Sequence, residues 1–227
     1  MKCAVITPIG PGHIDIYGRQ CVPSIRLATE SGMGLFSDVK IISIDDSHGL
    51  LGRSLARNTA VEKAHNAACE WIFFLDADDI LHPEAFIAAE KYLRDFDAVW
   101  GLIVEAPHND ICSFKIRPKQ ATAITEYKKL LQIDPFLSLQ MGHFVKTEVA
   151  RELPFDTEMD CAEDFDYYLR VWKNHKCAKV EDVFFVNIRG NHSTGPRSSG
   201  PRDWVIGVNK VLAEARADFR EDQNIKK

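Results

Sequence analysis

WIFFLDADDIL, residues 71–81, runs five apolar residues straight into three carboxylates. Trp71–Leu75 has the continuous apolarity of a strand buried on both faces, and Asp76, Asp78 and Asp79 fall at its carboxyl end. Like charges this close repel, and a buried carboxylate without a partner is costly. A cation therefore belongs at this turn, either a metal ion or an arginine. In extended chain residues two apart face the same way, so Asp76 and Asp78 can address one ligand together. Asp79 is assigned to capping the turn that follows.

Outward from that stretch the pattern repeats. Lys2–Thr7 and Asp38–Asp46 read as two further strands, the first ended by Pro8 and Gly10, the second by Asp45-Asp46. A helix with a kink or late start at Pro23 spans Ile14–Thr29, and a second spans Ser54–Glu70 with Ser54 as its N-cap. Pro83 opens a third, to about Arg94. This β-α-β-α-β-α order is that of a sheet with helices on its faces. Further on, Phe96–Ala106 is a strand that Ile111–Arg117 can pair with, MGHFVK a short strand, Glu163–Asn174 an amphipathic helix and AKVEDVFFVNIR a last strand. Thr125–Leu131 reads as helical, Gly190–Arg202 as a mobile loop, and a final amphipathic helix carries Trp204 to Phe219. No internal repeat or low-complexity linker divides the chain.

Composition narrows the function classes. Of 227 residues, 45% are hydrophobic and 27% charged, the balance of a globular protein, and no apolar run approaches the ~20 residues of a membrane helix. The N-terminal apolar patch is too short for a signal peptide, and six scattered cysteines without a C-x-x-C pair read as buried free thiols. A cytoplasmic location is expected. With a net charge of −5 and a densest basic patch only as long as KIRPK (residues 115–119), nucleic acid is not indicated.

Open α/β sheets bind ligands outside the carboxyl ends of their strands, where Thr7-Pro8, Asp45-Asp46 and Asp76-Ala77-Asp78 all fall. In GRSLARN, Arg53 and Arg57 share a face at a helix N-terminus, where the helix dipole is already positive. A docked diphosphate resolves that conflict, and for Arg53 pairing with Asp45, Asp46 or Glu62 is an equal reading. Glu163, Asp164 and Asp166 open a helix; the dipole alone favours acids there, but interleaved aromatics would desolvate a carboxylate enough to make it a general base. His192 is a lone loop histidine that only a nearby metal would recruit. Phosphate-cradling motifs are absent.

Taken together, AVITPIG, ISIDDSHGLLGRSLARNTAVEKA, WIFFLDADD and GHFVKTEVARELPFDTEMDCAEDFDYYLRVW resemble the inverting glycosyltransferases of family 2, over roughly residues 2–192. The resemblance implies a GT-A fold: α/β, with a Rossmann-like central mixed, mostly parallel sheet and helices on both faces. It implies one catalytic domain over 1–227, with a nucleotide-sugar half (1–104), an acceptor and catalytic half (105–192), a mobile loop (190–202) and a C-terminal helix (203–224). A nucleotide-diphosphate sugar, UDP-sugar favoured, would be the donor, and Mn2+ or Mg2+ the cofactor. Thr7, Pro8 and Asp46 would line the nucleoside pocket, Arg57 would contact base or phosphate, and Asp76 would lie near the ribose. Asp78 would bind the metal with His192, and Asp164 would be the catalytic base toward an acceptor hydroxyl of unknown class. DDSH departs from the DDGS-like turn usual in the family, and residues 106–140 follow no assignable pattern. The rival readings are a haloacid-dehalogenase-like phosphatase with Asp76 as nucleophile, and a non-catalytic nucleotide-binding module.

Overall fold

The structure, a computed structural model, describes residues 1–133, 135–190 and 201–225. The first half contains β1 (Lys2–Ile9), α1 (Ile14–Ile16), a π-helical turn (Tyr17–Cys21), α2 (Val22–Ser31), β2 (Asp38–Asp45), α3 (Arg53–Asn66), β3 (Trp71–Phe74), β4 (Ile80–Leu81) and α4 (Ala85–Ala89). The second half contains β5 (Ala98–Pro107), β6 (Lys115–Ile116), α5 (Tyr127–Leu130), α6 (Pro135–Ser138), β7 (His143–Lys146), α7 (Thr147–Glu152), α8 (Glu163–Asn174), β8 (Cys177–Arg189) and α9 (Pro201–Ile225).

One sheet takes up all eight strands in the order β2-β1-β3-β7-β5-β8-β4, with β6 paired to β5 beyond the end of β7. β1, β2, β3, β5 and β8 run one way, while β4, β6 and β7 run against them. Strand alternation splits the core into two layers. Ala4, Ile6, Ile72 and Phe74 face the layer built with α3, α8 and α9, whereas Cys3, Val5, Trp71 and Phe73 face the layer built with α2 and α4. Helices thus cover both faces, which is why β3 is apolar at every position.

Several boundaries differ from the sequence reading for identifiable reasons. The first helix is interrupted by the π turn, and α2 restarts with proline in its first turn, where the missing N–H costs nothing. Ser54 is not the N-cap of α3: Gly52 is, and Ser54 sits inside the helix with a buried hydroxyl. That helix stops at Asn66, not Glu70, because Ala68 takes a left-handed φ of 53° and Cys69 N–H donates back to Ala64. This is a Schellman-type ending on alanine, without the glycine that usually marks it. α4 is shorter than the Pro83–Arg94 expected. Among the described residues no helix is long and apolar enough to cross a membrane.

Candidate active site

The three parallel strands β2, β1 and β3 finish side by side, Ile9 opposite Asp45 and Ile6 opposite Phe74. Asp46, 7% exposed, closes the loop between β2 and α3: its carboxylate accepts the backbone N–H of Leu51 at 2.9 Å and of Gly52 at 2.8 Å. This side chain thus shapes the loop that follows β2. Thr7 is wholly buried with its hydroxyl 4.0 Å from Cys21 Sγ, so its side chain also faces the interior. Pro8 is half-buried at the strand end.

Arg57 departs furthest from expectation. It is 4% exposed; one terminal nitrogen lies 3.0 Å from Asp76 Oδ1 and the other 3.1 Å from Glu163 Oε1, with the guanidinium over the Phe155 ring. Burial opposes its charge, but Asp76 and Glu163 outweigh that and hold its pKa above the usual value. It therefore clamps the β3 turn to the α8 start. Arg53 also bonds Glu163, at 3.0 Å, instead of Asp45, Asp46 or Glu62. Glu163 is thus the counter-ion that sequence reasoning missed; its adjacency to Asp164 hid it.

Asp79 does not cap the following turn. It accepts Asn187 Nδ2 at 3.0 Å and Ile188 N–H at 2.9 Å, tying the acidic turn to β8, and burial holds its pKa well above the carboxylate range. Asp78 is half-buried, and burial, then Asp76, raises its pKa to about 7. Among the described residues no arginine or lysine counters it as Arg57 counters Asp76. A divalent cation fits that environment, since it would lower the energy of an anion the protein leaves uncompensated. Among the described residues, however, no three His, Cys, Asp or Glu side chains converge as a metal cage. The fit is to a hard cation held by one or two carboxylates and completed by ligand oxygens and water, the mode usual for Mg2+. The other expected ligand, His192, lies outside the described residues.

α8 begins abruptly. Ala162, its N-cap, adopts the left-handed conformation (φ 62°, ψ 14°), a strained setting for a residue with a Cβ. That turn sends Glu163 inward to the arginines and leaves Asp164 half-buried, its carboxylate accepting only the N–H of Phe165 among hydrogen bonds between described residues. Burial and neighbouring Glu163 push Asp164 up to about 7, against the pull of Arg57 and Arg53. Asp76 and Asp164 line one cavity of about 170 Å3, together with Arg117, Gln140, Arg189 and Trp204 over a floor of Leu139, Met141 and Phe165. Gly142, at φ +102° and against the Phe185 ring, turns the chain from that floor into β7; a Cβ there would meet the ring at 2.3 Å. Arg117, Gln140, Arg189 and Trp204 were not singled out in the sequence, and only the basic KIRPK patch hinted at one of them.

Comparison with known proteins bears on the family and the fold. The model of a family described as glycosyl transferase family 2 matches residues 29–142, about half of the chain. A curated relative, an uncharacterized glycosyltransferase of Methanocaldococcus jannaschii, is 28% identical over 159 residues, 67% of this chain and 51% of the relative. The chain thus spans about half the length of the curated relative it matches. Among solved structures, S. aureus TarS aligns with a TM-score of 0.65 at 16% identity, covering 94% of this chain and 39% of that one. TarS 1-349 in complex with UDP-GlcNAc aligns with a TM-score of 0.64 at 16% identity, covering 95% and 66%. At that identity the likeness is one of fold, and the fold is GT-A.

Proposed function

The chain belongs to glycosyl transferase family 2, and from that premise we propose that it transfers a sugar from a nucleotide-diphosphate donor to an acceptor hydroxyl, with inversion. The observation that carries the reading is the sharing of one cavity by Asp76 and Asp164, the latter with its pKa at about 7. A base titrating near neutrality is about half ionised at neutral pH and basic enough to take a proton in the transition state. Asp164 Oδ2 accepts the acceptor's hydroxyl proton while the hydroxyl oxygen attacks the anomeric carbon from the face opposite the diphosphate. One C–O bond forms as the other breaks, and the electron pair leaves with the phosphate. Arg57, paired to Asp76 and Glu163, positions the two acidic segments relative to each other.

Asp78, with His192, would hold Mn2+ or Mg2+ jointly with the donor diphosphate, and that ion would supply charge neutralisation at the leaving phosphate. Pro8 and the loop that Asp46 closes border the nucleoside, with Asp76 toward the ribose. UDP is the favoured nucleotide, supported by the complexes of the TarS fold relative with UDP-GlcNAc and with UDP. All strands share one sheet, which supports a single catalytic unit. Family membership and the pairing of Asp76 with Arg57 disfavour the phosphatase reading, since a nucleophile held in a salt bridge is a poor one. Thermal shift with UDP and Mn2+ should stabilise the protein, and p-nitrophenyl phosphate should not be hydrolysed. Phosphate release without nucleotide binding would overturn the reading.

A further inference from the structure

The cavity is bipolar. Its carboxylates come from the β3 turn and α8, but its guanidiniums come from the far end of the sheet, where strand register places them together. Glu105 of β5 lies opposite Lys115 of β6 and Asn187 of β8, and Pro107 lies opposite Arg189. Directly paired residues, and residues two apart, share a face. Lys115, Arg117, Glu105 and Arg189 thus converge on one face of three adjacent strands. Arg117 is held there, 2.7 Å from Glu105 and bonded to Gln140, with a 12% exposed side chain. Arg189 is looser: its side chain is 64% exposed and 3.4 Å from the same Glu105 oxygen. Arg117 and Arg189 contact the same oxygen of Glu105, which gathers two guanidiniums around one carboxylate. The densest basic patch of the sequence, KIRPK, is the edge of this face. Trp204 and Phe165 meet edge to face beside it, giving the same cavity an aromatic wall.

We infer that this wall is the acceptor subsite and that it takes an anionic acceptor, a hydroxyl compound bearing a phosphate or carboxylate group. The proposal rests on the transferase reading above, because it is the sharing of the cavity with Asp164 that makes its occupant the acceptor. A preoriented guanidinium and a looser partner form a two-armed grip on an oxyanion, the geometry at which arginine exceeds lysine. The aromatic wall packs the carbon skeleton, and the anion sits on the guanidinium side, away from the repulsion of Asp76 and Asp164.

Calorimetry on the full chain with glucose, glucose 6-phosphate and glucuronate, with and without saturating UDP and Mn2+, tests the idea. The charged sugars are expected to bind about tenfold more tightly than glucose, as charge-assisted hydrogen bonds warrant. Arg189→Gln, at an exposed position, and Arg117→Lys, which keeps the charge but loses the fork, should each cut that preference severalfold and leave UDP–Mn2+ affinity unchanged. Preference for glucose 6-phosphate over glucuronate assigns phosphate, and the reverse assigns carboxylate. Equal affinity for the three sugars, or binding of none, overturns the proposal. So does a loss of UDP–Mn2+ affinity in the arginine variants, which would put these side chains on the donor. If UDP–Mn2+ fails to bind while the anion preference persists, the anion site stands and the transferase reading falls.

Discussion

Two acidic triplets are joined through Arg57, and they divide their charges in the same way. In the β3 turn Asp76 pairs with Arg57, Asp79 bonds β8 through Asn187 and Ile188, and Asp78 is left with its pKa at about 7. At the start of α8, Glu163 pairs with the same Arg57, Asp166 with Arg170 at 2.7 Å, and Asp164 is left at about 7. The remaining carboxylates differ in their surroundings. Asp78 is raised by burial and by Asp76, with no arginine or lysine among the described residues acting against them. Asp164 is raised by burial and by Glu163, but Arg57 and Arg53 already pull on it. Among the described residues one group lacks a cation and the other has cations in place, which suits the first to a metal and the second to a proton.

Breaking the α8 side should have the largest effect. Asp164→Asn removes the base without changing shape, and turnover is expected to fall about 10²- to 10⁴-fold with donor affinity retained. In the unmutated enzyme kcat/KM should rise with pH and level off above about 7, because only ionised Asp164 accepts the proton. A flat profile, or an active Asp164→Asn enzyme in steady-state assays, would remove the assignment. Arg57→Met cuts the bridge both triplets share, leaving Asp76 without its cation and Glu163 with Arg53 alone, at a cost of about 3–5 kcal/mol in urea unfolding. A loss below 1 kcal/mol would mean the clamp contributes little. Asp78→Asn sharpens the contrast: Mn2+-dependent UDP binding should weaken about tenfold or more, while binding without metal changes little. At the small end, Asp166→Ala breaks only a partly exposed i,i+4 pair and should cost about 0.3–1 kcal/mol, with activity intact.

Much of this was legible in the sequence because the residues concerned are close along the chain. The apolar run before Asp76 marks β3, and the Phe165, Tyr168, Leu169 and Trp172 stripe predicts α8 over the residues observed, Glu163–Asn174. Less legible were contacts made by long-range register. The carboxylate partners of Arg57, Glu163 and Asp76, reach it only through the fold. Asp79 reads as a cap until β8 arrives beside it. Arg117 and Arg189 share no local pattern at all, because only the β6-β5-β8 pairing puts them on Glu105. Residues 106–140, which no pattern explained, carry half of that basic wall. The expected mobile loop from Gly190 to Arg202 and its His192 fall largely on residues 191–200, outside the described residues.

The division of labour between the triplets is tested most directly by titrating UDP into wild-type, Asp78→Asn and Asp164→Asn proteins, each with and without Mn2+. The account predicts that Asp78→Asn alone loses the Mn2+-dependent gain in affinity and that Asp164→Asn binds like wild type. Equal losses in both variants, or in neither, would contradict it.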